Sequence, residues 1–186
     1  MTPPRFIALY SPAPGCGKST VAQILWAEFG YQRISLADPM RMMVNALLET
    51  VGVEPPDPGD TVAKNTMIEE LPYAPTYRRL MQTLGTEWGR NNIGEHFWLK
   101  LWKYRVQAAM DLGHSVVCDD IRFPNELDAA LSMGKAWLIT RPGCVASEHA
   151  SDGGLDRLPV SWDAVISNNG TIADLRKTVL RQGLSA

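Results

Sequence analysis

The residues best equipped for chemistry are six in a row, Gly15-Cys16-Gly17-Lys18-Ser19-Thr20. Glycines let the backbone turn its N–H groups inward around an anion, and a helix that opens there adds a favourable dipole. In such a P-loop, Pro14 to Thr20 would wrap the phosphates of ATP. Lys18 would reach the β- and γ-phosphates, and the Ser19 hydroxyl would hold Mg²⁺. The usual pattern has a small residue five places before the second glycine, and Pro12 stands there. Proline fixes φ and lacks an N–H, so the start of the loop departs from the pattern. A chance glycine-lysine-serine at a helix start is the bland alternative, and the apolar strand just before the loop weighs against it.

A second segment, Val116-Val117-Cys118-Asp119-Asp120-Ile121-Arg122, reads as a buried strand running into two acids. A carboxylate at such a strand end can order Mg²⁺ and its waters, and Asp119 is the first candidate with Asp120 next to it. The competing reading, an N-cap for the following helix, explains one acid more easily than both. Arg122 follows this strand and Arg141 follows the next. Two phosphorylated substrates repel each other, so a site that joins them must supply cations. For either arginine alone, a surface salt bridge is an equal alternative. An acceptor that is itself a phosphate needs no base, because its oxygen is already largely ionised at neutral pH. The sequence holds no His-Asp-Ser or kinase-type HRD arrangement, and His96, His114 and His149 are isolated, which favours structural roles for two of the three.

These residues need elements to position them. Residues 5–10 form an apolar run stopped by Ser11-Pro12-Ala13-Pro14-Gly15, and residues 18–29 carry apolar side chains at helical spacing. Strands are expected over 32–36, 115–119, 136–140 and 164–166. Helices are expected over 40–51, 76–88, 95–112, 124–133 and 172–180. Residues 52–60 are rich in Pro, Gly and Asp and read as a surface loop. Strands separated by helices predict an α/β fold, a doubly wound parallel sheet flanked by helices. The loops after Tyr10, Asp119 and Thr140 should then line one crevice. Trp98, Leu101 and Trp102 recur at helical spacing and fit a core stripe better than a ring that stacks on a base.

Bulk properties bound the classes. A chain of 186 residues fits one domain, and 45% hydrophobic residues suffice for a core. A formal charge of −2 gives no general pull toward nucleic acid or anionic lipid. Arginines outnumber lysines 12 to 6, which suits bidentate phosphate binding, although taken alone a codon bias is the favoured explanation. Cys16, Cys118 and Cys144 have no metal-like spacing and suit a reducing compartment. Without a signal-like start or a long apolar run, a soluble, cytoplasmic protein is expected.

The motifs, taken in order, resemble those of bacteriophage-type deoxynucleoside monophosphate kinases, members of the P-loop nucleoside monophosphate kinase superfamily. After the P-loop come Leu36-Ala37-Asp38-Pro39-Met40-Arg41 and the block from Arg79-Leu80-Met81-Gln82 to Trp88-Gly89-Arg90. Then follow Asp119 to Glu126, His149-Ala150-Ser151-Asp152, and Ile166-Ser167-Asn168-Asn169-Gly170. The resemblance implies a single kinase domain with a monophosphate-binding region over about 38–112 and a lid over about 142–159. It implies that Asp38, Arg41, Arg79, Gln82, Arg90, Asp120 and Arg122 approach the acceptor, and that Asn168 and Gly170 lie beside ATP. Lys18, Asp119, Arg122 and Arg141 would carry the catalysis, with ATP and Mg²⁺ as cofactors and Ser19 and Asp119 serving the metal. Asp152 stands where the family more often has Glu. The implied partners are small nucleotides, with no nucleic acid polymer and no membrane, and a homodimer is left open.

Other readings stay in view. Phosphomevalonate kinases of animals share a weaker form of the layout, which admits another phosphate acceptor. A hydrolytic GTPase switch would want an Asn-Lys-x-Asp motif, which the sequence lacks. An inactive nucleotide-binding relic is the third alternative, which Pro12 makes conceivable. The accepted base and the sugar preference do not follow from one sequence.

Overall fold

The computed structural model of the chain describes residues 3–144, 155 and 159–185. In chain order the elements are β1 (Phe6–Tyr10), α1 (Lys18–Phe29), β2 (Gln32–Arg33), α2 (Asp38–Glu49), α3 (Thr61–Asn65) and α4 (Tyr77–Gln82). A π-helical run over Thr83–Ile93 follows, then α5 (Phe97–Asp111), β3 (Val116–Cys118), α6 (Pro124–Leu131), β4 (Lys135–Thr140), β5 (Ala164–Ser167) and α7 (Ile172–Ser185). They divide into two compact units, one of Met1–Ser35 with Trp102–Ala186, the other of Leu36–Leu101. Among the described residues, no helix is long and apolar enough to cross a membrane.

The first unit is built on a five-stranded sheet in the order β2-β3-β1-β4-β5. Every pairing is parallel. β1 lies in the middle and is buried at all five positions, as expected of an apolar run covered on both faces. Ile7, Leu9, Val21, Leu25, Trp137 and Val179 belong to one buried cluster that joins β1 to α1, β4 and α7. Each such side chain contributes about 1.5–3 kcal/mol when taken fully from water.

The turn from α6 into β4 brings backbone against backbone. A Cβ at Gly134 would stand 2.4 Å from the Phe6 carbonyl oxygen, and backbone has no rotamer by which to yield. Gly134→Ala is therefore expected to lower stability by about 1–3 kcal/mol through overpacking. A urea melt checks this: the midpoint should fall with the slope unchanged.

In the second unit, α2 opens with Asp38 and carries Pro39 in its first turn, where proline's missing N–H costs nothing. Asp60 caps α3 by accepting from Ala63 N–H, and Thr76 caps α4 by accepting from Arg79 N–H. Val44, Leu48, Ile68, Leu71 and Tyr77 form its core. The Tyr77 hydroxyl donates to Asn45 Oδ1 at 2.9 Å.

Several boundaries differ from the sequence expectation. The strand over 32–36 shortens to two residues, because pairing with β3 covers Gln32 and Arg33 alone. The helix over 76–88 changes pitch at Thr83 and continues as a π-helix to Ile93. π-Helical turns are rare and concentrate at functional sites. α3 was not foreseen, since its five residues are too few to show a period. Trp98 and Trp102 are buried, as the core reading of the aromatic stripe expects. Most of the lid expected at 142–159, namely 145–154 and 156–158, lies outside the described residues, so nothing structural attaches to His149, Asp152 or Arg157.

Candidate active site

The sequence from Ser11 to Thr20 leaves the C-terminal end of β1 and enters α1 through Gly17, which sits at φ 107° as the helix N-cap. That angle favours glycine, and a side chain there would also displace the Asn168 amide. An added Cβ would meet Asn168 Nδ2 at 2.5 Å. Asn168 follows β5 and donates from Nδ2 to the Cys16 carbonyl at 3.0 Å. Arg141 follows β4 and donates from Nη1 to the Gly15 carbonyl at 3.3 Å. Residues beyond three neighbouring strand ends thus meet on one loop. Gly170 lies in the turn ahead of α7, where a Cβ would stand 2.9 Å from Asp174 Oδ2.

Lys18 donates from Nζ to Ser11 Oγ at 2.5 Å, and Ser11 donates in turn to the Ala13 carbonyl at 2.8 Å. Burial lowers the Lys18 ammonium below the ordinary lysine range. Cys16, Asp119 and Asp120 pull it back up, and the Arg122 guanidinium pushes it down. The cation is held ready in a partly dry place, where charge on a ligand is felt strongly.

At the end of β3, Asp119 is 4% exposed and at the centre of a set of donors. Ser19 Oγ donates to its Oδ2 at 3.3 Å and Ser35 Oγ to its Oδ1 at 3.2 Å. Arg33 donates from Nε to Oδ1 at 2.8 Å, and its Nη2 lies 2.8 Å from Oδ2. Asp120 points its Oδ1 to Cys118 Sγ at 3.3 Å. The buried Cys118 thiol is pushed up, by burial first and by Asp120 next. Neither acid caps α6. Its N-cap is Phe123, and the buried Glu126 accepts from the N–H groups of Arg122 and Phe123 instead.

A hydroxyl and a carboxylate within hydrogen-bond distance are hard oxygen donors that fit Mg²⁺. Among the described residues, no three His, Cys, Asp or Glu gather to hold a metal by themselves. A P-loop magnesium does not need them, since it takes its other ligands from phosphate and water.

The second unit holds the remaining candidates. Arg41 Nη1 and Asp38 Oδ1 pair at 2.8 Å on the first turn of α2. Arg79 and Gln82 lie on α4, and Arg90 on the π-helix. Arg79 Nη2 lies 3.6 Å from Glu87 Oε1, an exposed pair worth little to stability. Lys64 is pushed down by burial and then by Arg41 and Arg78, so three cations share one neighbourhood.

Sequence reasoning missed Ser11, Arg33, Ser35, Lys64 and Arg78. Arg33 and Ser35 carried a faint signal, since a strand beside β3 would end near Asp119. The others carried none, because only tertiary packing brings them to their partners.

A model of the family described as deoxynucleotide monophosphate kinase matches residues 60–179. The chain belongs to that family. The match contains Arg79, Gln82, Arg90, Asp119 to Arg122, Arg141 and Asn168. Lys18 and Ser19 fall before it, so their place in this kinase-family chain rests on the loop geometry above.

Two curated relatives are the deoxynucleotide monophosphate kinases of Enterobacteria phage T4, 34% identical over 102 residues, and of Escherichia phage RB69, 33% identical over 103. Each match covers 53% of this chain and 41% of the relative. Among solved structures, TT1252 from Thermus thermophilus superposes with a TM-score of 0.53 at 18% identity over 97% of this chain and 96% of its own. A sugar kinase from Janibacter sp. gives 0.51 at 16% identity over 97% and 94%. At such low identity these two show a shared fold and nothing about the activity or the substrate.

Proposed function

We propose that the chain moves the γ-phosphate of ATP onto a (deoxy)nucleoside monophosphate, giving ADP and the corresponding diphosphate. The observation that carries this reading is the meeting of Lys18, Ser19 and Asp119 at the C-terminal ends of a parallel sheet, in a chain of this family. Such strand ends are where open α/β sheets bind ligands.

The loop of residues 14–20 cradles the ATP phosphates with the backbone N–H groups of residues 15–20, and Lys18 leaves Ser11 to span the β- and γ-phosphates. Ser19 and Asp119 would hold Mg²⁺, which supplies positive charge to the same two phosphates when bound. Asn168 and Gly170 border the nucleotide. Arg122 and Arg141 lower the repulsion between donor and acceptor and stabilise charge on the moving group. Asp38, Arg41, Arg79, Gln82 and Arg90, all within Leu36–Leu101, hold the acceptor. An acceptor phosphate oxygen forms the new bond to the γ-phosphorus as the bond to the bridging oxygen breaks, and ADP leaves with that electron pair. The acceptor phosphate is already largely ionised at neutral pH, so no base is required, in keeping with the absence of a base motif in the sequence.

The test is ADP formation from MgATP with each of the deoxynucleoside monophosphates, their ribose counterparts and phosphomevalonate. ADP should appear only when a nucleoside monophosphate is added. ADP without any acceptor would favour a hydrolytic switch, and ADP with phosphomevalonate alone would move the chain to that acceptor class. No ADP with any acceptor would favour a binding relic.

A further inference from the structure

Asp119 is saturated by its own protein. A carboxylate offers about four lone-pair positions. Here four donor groups address it: Arg33 Nε and Ser35 Oγ on Oδ1, and Arg33 Nη2 and Ser19 Oγ on Oδ2. The Asp119 side chain is 2% exposed. A carboxylate buried to that degree needs a counter-charge, because leaving it unpaired is strongly unfavourable. Arg33 is that counter-charge, and it grips both oxygens at once, the arrangement that fixes orientation as well as charge.

A magnesium held by Ser19 beside ATP would be drawn to the same carboxylate, so two cations would compete for one negative charge. Arg33 has room to yield. Its side chain is 43% exposed and lines a cavity of about 570 Å³ together with Ser19, Gln23, Gln32 and Arg105. Sliding into that space would release one or both oxygens of Asp119.

We propose that Arg33 is a positioning residue that occupies the Asp119 carboxylate and thereby sets the Mg²⁺ concentration at which the nucleotide site fills. The proposal rests on the reading of Ser19 and Asp119 as the magnesium end of the ATP site. By competing, Arg33 makes metal binding weaker than the bare carboxylate would. By neutralising Asp119, it keeps the site intact when nucleotide is absent.

Calorimetric titration of the full chain with a non-hydrolysable ATP analogue, repeated across Mg²⁺ concentrations, tests this without any turnover. The quantity read is the Mg²⁺ concentration that gives half of the full tightening of nucleotide binding. Arg33→Gln should lower it by about three- to fivefold, the upper part of the range for removing a partly exposed competing charge. Arg33→Lys keeps the charge but holds the carboxylate through one point instead of a fork, so an intermediate drop of about two- to threefold is expected. The lysine variant alone decides the matter if the glutamine variant does not fold. A structural role would change melting temperature and metal-free nucleotide affinity but not the Mg²⁺ requirement. An unchanged or raised requirement in the variants overturns the inference while leaving the magnesium site standing. Nucleotide binding by the parent chain that ignores Mg²⁺ altogether overturns both, and shows itself before any variant is made.

Discussion

Lys18→Ala is expected to cut phosphoryl transfer by about 10²–10³, the loss seen when one preorganised charge is removed from a developing transition state. The lysine stands on the first residue of α1, and among the described residues its ammonium donates to a neutral hydroxyl, Ser11 Oγ. Burial lowers its proton affinity, so the folded chain bears a cost for carrying the charge there. On the proposed reading, the cost would be recovered when phosphate arrives. Alanine removes both the cost and the benefit, and it is a better helix former than lysine. The variant should therefore melt no lower than the parent while losing turnover, which thermal denaturation and a steady-state ADP assay measure side by side. Near-parental turnover would sink the assignment of Gly15 to Thr20 as the ATP-binding loop. A fall in melting temperature matching the fall in rate would recast Lys18 as structural.

For Trp102→Ala the expected loss is in stability, about 3–5 kcal/mol, the range for deleting a large buried aromatic. Trp102 is fully buried and meets Phe6 edge-on, with ring centroids 5.8 Å apart. Its Nε1 also donates to the Ile34 carbonyl at 3.1 Å, so alanine leaves a cavity and takes away that carbonyl's indole donor. Ile34 stands between Arg33 and Ser35, which both hold Asp119. Loosening that backbone should also blur the Asp119 site. Guanidinium melts give the stability, and the Mg²⁺ requirement for nucleotide binding gives the second effect. A loss below about 1 kcal/mol would mean that Trp102 is not the core anchor its burial indicates.

Much of this was written along the chain because it is local. An apolar run of five residues, a glycine turn and a helical period need only neighbours, so β1, the loop and α1 were placed from sequence to within a residue. The order of strands and helices likewise implied a parallel sheet, and parallel sheets carry their chemistry at their strand ends. Asp119, Arg141 and Asn168 were singled out from sequence as strand-end or motif residues.

What the chain order did not contain is which ends are neighbours. β1 pairs with β3 on one side and β4 on the other, and that arrangement brings Asp119, Arg141 and Asn168 toward one loop. The pitch change at Thr83 was likewise invisible, since residues 76–88 keep an apolar spacing that an α-helix would also show. The Trp98 indole fastens that run by donating to the Gly85 carbonyl, thirteen residues away. Arg33 is the clearest case. As a residue type at the end of a two-residue strand it reads as an ordinary surface cation. It gains its meaning from a carboxylate 86 positions further on, which becomes its neighbour because β2 lies beside β3. Local periodicity is set by backbone geometry and solvation over a few residues, whereas a counter-charge is chosen by distance in space, and only the packed sheet fixes that distance.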